Sequence, residues 1–326
     1  MSVSKRPQLV KIIACLCIAL LIVLAAGCGK QAKSEPPGSA KTGAYLTVVD
    51  DAGRTVPLIK KPERIVVLST SFLELLYAVD GQAVGRPSSK TADIPERANA
   101  VPEVGFVYNV NMEKVLSLQP DLVIAFQGIN DKLVPLLESS NIPVLLLKVK
   151  SFEDVTAKIK LFSEIAGTQD KGNALVSHMN DRMAAIISKL PADPKKVAIL
   201  HATAKSVTLE LDTSIAGDIA KRLKLHNVAA GSRPLDADMD ATPYSLEKLV
   251  EQDPDYILVV TMGRIADIEK RMKADVASSP AWATLRSVRA GRIIFLPQDL
   301  FQLQPGTRMP EAMEHMAKLI YPEVYK

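Results

Sequence analysis

Residues 112–126 read MEKVLSLQPDLVIAF, and residues 246–260 read LEKLVEQDPDYILVV. Glu113 aligns with Glu247, Lys114 with Lys248, Pro120 with Pro254 and Asp121 with Asp255, all at one constant offset. Met112, Val115 and Leu116, and again Leu246, Leu249 and Val250, follow the helical spacing that gathers apolar side chains on one face. Pro-Asp stops each helix. A run of Leu, Ile and Val follows, long enough for a buried strand. Helix, tight turn and buried strand make half of a parallel α/β unit. Two copies are too few for a solenoid; they predict two lobes of similar plan.

Residues 64–68, 143–147, 196–200 and 292–296 are further apolar runs. With the repeat they predict about three strands per half, alternating with helices. Phe72, Leu75, Leu76 and Val79 mark the helix after the first strand. Between the halves, Phe152, Val155, Ile159 and Phe162 predict a helix stopped near Gly167. Leu175, Met179, Met183, Ile186 and Leu190 predict a second, of about 20 residues and so roughly 30 Å long. A single long helix joining two lobes limits hinge motion between them. The same pattern also suits a helix that merely packs on one lobe.

A chain of 326 residues suits two domains of ordinary size. With 48% apolar and 23% charged residues, a wholly disordered chain is excluded. The net charge is +4, but Lys5, Arg6 and Lys11 precede Cys28 with no acid among them, so the excess belongs mostly to the leader. No nucleic-acid footprint remains. Residues 12–29 carry no charge and end in Leu24-Ala25-Ala26-Gly27-Cys28, a secretory signal layout. The run is barely long enough for an uncleaved anchor, the alternative reading. The stretch LAAGC resembles the bacterial lipobox, whose Cys is acylated and becomes the first residue. Ala25 stands where that motif usually has Leu, with Leu24 one step further out. Residues 29–43, GKQAKSEPPGSAKTG, lack an apolar period and read as a flexible tether. The expected organisation is a signal peptide over 1–27, a lipidated tether over 28–44, an N-terminal α/β lobe over 45–168, a bridging helix over 169–190 and a C-terminal α/β lobe over 191–326. The expected place is the extracytoplasmic side of the cell membrane. Cys15, Cys17 and Cys28 are the only cysteines, so a mature chain has neither a disulfide framework nor a Cys-based zinc site.

In parallel α/β lobes ligands sit beyond the carboxyl ends of the strands, and two facing lobes make a cleft. The expected wall segments are 69–71 with Ser71, 85–88, 106–109, 127–128, 201–203, 261–264 and 298–308. No GxSxG, P-loop, GxGxxG or HExxH occurs. Of His178, His201, His226 and His315, only His201 ends a predicted strand. His178 and His315 read as solvated helix residues and His226 as a loop residue. Four scattered histidines do not make a three-His metal cage. Ser69, His201 and an Asp can be drawn as a triad, but no nucleophile elbow or orienting residue supports it. A non-enzyme with no intrinsic cofactor is expected.

The ordered set of Ser-Thr-Ser after a strand, Glu74 in the next helix, Val84-Gly85-Arg86-Pro87-Ser88, Pro102-Glu103-Val104-Gly105, Glu113 with Leu118-Gln119-Pro120-Asp121-Leu122-Val123, and Pro310-Glu311-Ala312 resembles the substrate-binding lipoproteins of iron-complex, haem and cobalamin ABC importers. The similarity runs from about Thr47 to the C-terminus. It implies a class III periplasmic-binding-protein-like fold: two α/β lobes with central, mostly parallel sheets joined by one long rigid helix. It also implies capture without conversion, followed by delivery to a membrane permease dimer driven by a cytoplasmic ATPase. Family members pair one acid per lobe with permease arginines; by position these are Glu74 and Asp218, the latter shorter than the usual Glu.

The sequence is similar to the Gram-positive haem-binding subgroup, which makes haem the favoured ligand over a ferric siderophore, with cobalamin third. By that resemblance Tyr108 takes the place of an axial iron ligand, since a tyrosinate can ligate ferric haem; its other reading is a tyrosine that stacks or hydrogen-bonds in a pocket. The subgroup's second ligand is a His just after the second Pro-Asp strand. Here Thr261-Met262-Gly263-Arg264 stands there instead, leaving Met262, as soft ligand or space filler, and His201 as second-lobe choices. Arg86, Arg264 and Arg308 are the residues suited to propionates or siderophore carboxylates. Phe106, Tyr244, Trp282 and Phe301 are the candidates for flat apolar walls, with Trp282 expected in the second-lobe core.

Overall fold

An antiparallel hairpin, β1 (Leu46–Val49) and β2 (Thr55–Leu58), begins the folded body. Val48, Val56 and Leu58 point to the core while Val49 faces solvent, the period of two that a half-buried strand requires. The computed structural model describes residues 43–90, 94–236, 239–302 and 305–325. The expected signal peptide, lipobox, Cys28 and all but the last residues of the tether lie outside the described residues. The Asp50 carboxylate closes the hairpin turn by accepting the N–H of Ala52 and Arg54 at 3.2 and 2.9 Å.

The first lobe continues through β3 (Ile65–Val67), α1 (Thr70–Ala78), β4 (Gly105–Phe106), β5 (Asn109–Val110), α2 (Met112–Ser117), β6 (Leu122–Phe126), α3 (Val134–Ser139) and β7 (Val144–Leu147). Its sheet runs β3-β6-β7, all parallel, with β4 and β5 forming a separate hairpin. Two helices lead out of it: α4 (Phe152–Ala166) and α5 (Gln169–Ile187). A capping box between Ser151 and Asp154 starts α4, and Gly167, at φ 71°, ends it.

The second lobe comprises β8 (Lys196–Thr203), β9 (Val207–Glu210), α6 (Ile215–Arg222), β10 (His226–Asn227), β11 (Ala241–Pro243), α7 (Leu246–Gln252), β12 (Tyr256–Met262), α8 (Ile265–Ser278), α9 (Pro280–Thr284), α10 (Arg286–Arg289), β13 (Ile293–Phe295), α11 (Gln298–Phe301) and α12 (Met309–Ile320). Its sheet is mixed. β10 and β12 pair with β8 in parallel and β13 with β12 in parallel, whereas β9 pairs antiparallel with both β8 and β11. This corrects the expectation of about three strands per half. The short turn between β8 and β9, closed by the Thr203 N–H on the Ser206 carbonyl at 2.9 Å, folds a strand back that the parallel pattern does not announce. His226 is likewise a strand residue rather than a loop residue: its N–H bonds the Lys195 carbonyl at 2.9 Å.

The repeat has a mechanical basis. Asp121 accepts the N–H of Glu63 and Arg64 at 3.0 and 2.8 Å, fastening β6 to the start of β3. Asp255 accepts the N–H of Lys196 at 2.9 Å and fastens β12 to the start of β8. The residues before the two prolines, Gln119 and Asp253, are both left-handed, at φ 47° and 41°. Each Pro-Asp therefore turns the chain and aligns a neighbouring parallel strand.

The long helix α5 lies between α4 and α12, burying Val176, Met179, Met183 and Ile186. Tyr325 donates to the Ile186 carbonyl at 2.6 Å at its end. One apolar core runs from Val67 and Phe72 through Phe162 and Met183 to Val197 and Met313. Each lobe adds a core of its own, around Val66, Val123 and Val144 in the first and around Ala198, Val259 and Trp282 in the second.

Candidate functional site

Beyond the carboxyl ends of the strands the two lobes enclose a cavity of about 570 Å³. Phe126, at the end of β6, and Val149 and Lys150, just after β7, supply the first-lobe wall. His201 of β8, Thr208 and Glu210 of β9, Val260 of β12, and Leu235, Met239 and Asp240 before β11 supply the second-lobe wall, with Phe301 and Gln302 near the C-terminal side. Phe126 is held by stacking on Phe72, with centroids 5.5 Å apart. A hollow of about 770 Å³ lies elsewhere, lined by Thr55–Lys60, Gln119–Asp121 and Ser140–Val144. Those residues mark the amino ends of β6 and β7, the end of a parallel sheet where ligands do not bind.

His201 is the polar centre of the cleft. Its Nδ1 lies 3.0 Å from Glu210 Oε1. Glu210 is buried, and its other oxygen accepts the Ser214 hydroxyl at 2.8 Å. Ser214 in turn caps α6 by accepting the Gly217 N–H at 2.9 Å. In the tautomer that donates from Nδ1 to Glu210, Nε2 keeps its lone pair. A carboxylate that orients an imidazole in this way also raises its basicity toward a metal. Across the cleft, Lys150 of the first lobe meets Asp240 of the second at 3.1 Å.

The other expected ligand residues are scattered outside the lining. Tyr108 forms the β4–β5 turn with Val107, is 75% exposed and stacks on Phe106 at 5.6 Å. Buried Asn130 ties that turn to the cleft wall: it donates to the Val107 carbonyl at 2.7 Å and accepts the Phe126 N–H at 2.9 Å. Ser71 sits in the first turn of α1. Met262 ends β12, largely exposed. Arg86 pairs with Glu103 at 3.0 Å, Arg264 with Asp267 at 3.2 Å, and Arg308 with Asp299 and Glu311 at 3.0 and 2.8 Å. Phe301 lines the cavity. Tyr244 and Trp282 instead stack at 6.5 Å around a separate hollow of about 250 Å³ in the second lobe, where burial pushes the Tyr244 hydroxyl up to about 12. Trp282 is a core residue, as expected. His178 is exposed, whereas His315 is half-buried against Phe301.

Glu210, Lys150, Asp240 and Phe126 are cleft residues that the sequence reading passed over. Phe126 carried a signal, as the last residue of the first repeat strand. The other three belong to no motif and meet only through the sheet order.

The two expected docking acids are both engaged inside the protein. Glu74 accepts the hydroxyl of Thr307, and the Thr307 N–H approaches it at 3.4 Å. Burial raises its pKa, with the Thr307 hydrogen bonds opposing. Asp218 is buried; it accepts the Phe152 N–H at 3.1 Å and Arg222 Nε at 2.9 Å. Docking through either carboxylate requires it to leave these partners.

A family model described as "Periplasmic binding protein" matches residues 65–300, from β3 of the first lobe into α11 beside the cleft. The chain belongs to the periplasmic binding protein family. Periplasmic binding proteins of this kind are substrate-binding components and not enzymes. The chain is 28% identical over 320 residues to the uncharacterized ABC transporter substrate-binding lipoprotein YvrC of Bacillus subtilis, covering 95% of this chain and 96% of that protein. It is 27% identical over 317 residues to a cobalamin-binding protein of Halobacterium salinarum, covering 93% of this chain and 83% of that protein. Among solved structures, S. aureus IsdE complexed with heme superposes with a TM-score of 0.68 at 23% identity, over 79% of this chain and 98% of that one. The likeness to IsdE is one of fold.

Proposed function

We propose that this periplasmic binding protein is the lipid-anchored, extracytoplasmic receptor of an ABC importer, and that it captures an iron chelate or a tetrapyrrole, haem among them, in the interlobe cleft. Cys28 carries the anchor, and a permease dimer with a cytoplasmic ATPase receives the cargo. The observation that carries the reading is the imidazole of His201, placed in the cleft and oriented by Glu210. A metal centre is the cargo feature such a group suits. His201 is favoured over Tyr108 and Met262 as the metal-facing group, because it alone of the three lines the cavity.

The test is titration of purified residues 29–326 with haemin, ferric citrate and cyanocobalamin, read by absorbance and calorimetry. Saturable one-to-one binding of at least one, weakened in His201→Ala, is expected. With haemin, a Soret shift lost in Tyr108→Ala but kept in His201→Ala would move ligation to Tyr108. Saturable binding of none of the three would overturn the receptor reading.

A further inference from the structure

Resting on that reading, we infer that Glu210 and Asp240 make the cleft select against anionic chelates, so that the cargo is a metal chelate with a neutral, amide-bearing rim, as in a corrinoid. Among the described lining residues the acids are Glu210 and Asp240, and the one Lys or Arg is Lys150. Lys150 already faces Asp240 at 3.1 Å. Glu210 is turned toward His201 and Ser214. Among the described lining residues two carboxylates thus stand against one ammonium.

The fork-shaped cations that would grip propionates or siderophore carboxylates lie elsewhere. Arg86, Arg264 and Arg308 each pair with an acid outside the lining. Arg271 reaches the lining only through the Ser206 carbonyl, at 3.5 Å, and it too has an acid partner, Asp275 at 3.8 Å. A carboxylate entering the cleft therefore meets two negative groups for one ammonium that has a counter-charge already. Between low-dielectric walls such like-charge approaches are screened weakly and cost affinity. What the cleft offers instead is apolar surface from Phe126, Phe301 and Val149, with the Thr208 hydroxyl and the Gln302 amide as neutral partners. Amide side chains on a flat metal macrocycle fit that set; carboxylates do not.

The experiment ranks the same three probes on the wild-type protein at low and high ionic strength. Cyanocobalamin is expected to bind at least about tenfold more tightly than ferric citrate or haemin, and its affinity is expected to change little with salt. Asp240→Asn and Glu210→Gln, each removing one negative charge from the lining, are expected to raise the affinity for ferric citrate by about tenfold relative to wild type. If ferric citrate or haemin binds the wild type more tightly than cyanocobalamin, the inference falls while the receptor reading stands. It falls in the same way if cyanocobalamin wins but both variants fold and leave ferric citrate affinity unchanged, because the acids then do not set the choice. If one variant does not fold, the other and the wild-type ranking with its salt dependence still decide. If no probe binds, the receptor reading falls first.

Discussion

The carboxylate of Asp218 accepts the backbone N–H of Phe152 at 3.1 Å, so an acid from the first helix of the second lobe closes the first turn of the helix leaving the first lobe. The reciprocal contact exists. Glu74, from the first helix of the first lobe, receives the hydroxyl and N–H of Thr307 in the turn that leads into α12. The Asp218 carboxylate meets unpaired N–H donors and the positive end of the dipole of α4, while Glu74 serves Thr307 as a hydrogen-bond acceptor, so each acid fastens an element outside its own lobe.

Asp218→Ala is expected to destabilise the protein by about 2 kcal/mol, because the buried Phe152 N–H loses its acceptor. Arg222, which bonds Asp218 and Glu153 and lies over the Phe152 ring at 5.0 Å, loses one of its two anchors at the same time. Urea unfolding measures the change, and a loss no larger than that of an exposed-helix alanine substitution would contradict the anchoring role.

Gly306 has φ 52°, and a Cβ built there would lie 2.0 Å from Glu74 Oε2. Gly306→Ala is therefore expected to cost roughly 1–2 kcal/mol for the left-handed backbone alone, and more for the displaced carboxylate. In a double-mutant cycle with Glu74→Ala the two losses should fall short of additive, since the clash disappears with the carboxylate. Strict additivity would show that the two residues do not press on each other.

Burial raises the Glu74 pKa despite its Thr307 donors. The folded state then holds that proton more tightly than the unfolded chain. The sign follows: the group's contribution is fully present below its unfolded value and is lost as pH rises through the folded one. Glu74→Gln should keep a neutral acceptor for Thr307 and so gain on the wild type as pH rises from mildly acid to neutral. Thermal unfolding of both proteins across that range checks it; a wild-type advantage that grows with pH would reverse the sign. Asp50 works oppositely. Burial opposes its charge, but the N–H groups of Arg54 and Leu146 and the Arg54 guanidinium outweigh it and hold the pKa low. Its contribution is present above the unfolded value and fades only as pH falls through the folded one.

The continuous core through α4, α5 and α12 predicts that the lobes move little on cargo binding. Small-angle scattering of the free and loaded protein should give the same radius of gyration within error, and a clear contraction would contradict it.

The repeat made both helix–turn–strand units legible, because Pro-Asp and a five-residue apolar run are local signals. The Gly167 stop and the faces of α4 and α5 were legible for the same reason. The β1–β2 hairpin was not read, although Val48, Val56 and Leu58 alternate with exposed residues across the turn at Asp50 to Gly53. β9 and β11 were missed because nothing in Val207–Glu210 says which way the strand runs. At the site, His201 could be picked by its place near a strand end. Glu210, Lys150 and Asp240 acquire meaning only from neighbours far away in the chain, as do the contacts of Glu74 and Asp218.

The hairpin has a consequence of its own. β7 is the outermost strand of its sheet, yet the Asp50 carboxylate takes the Leu146 N–H, Arg54 reaches the Val144 carbonyl, and the Asp51 carboxylate takes the Lys148 N–H. An uncovered border of that kind is a template on which a second molecule can extend the sheet. The β1–β2 hairpin seals that margin, along which two copies of the chain would otherwise zip together.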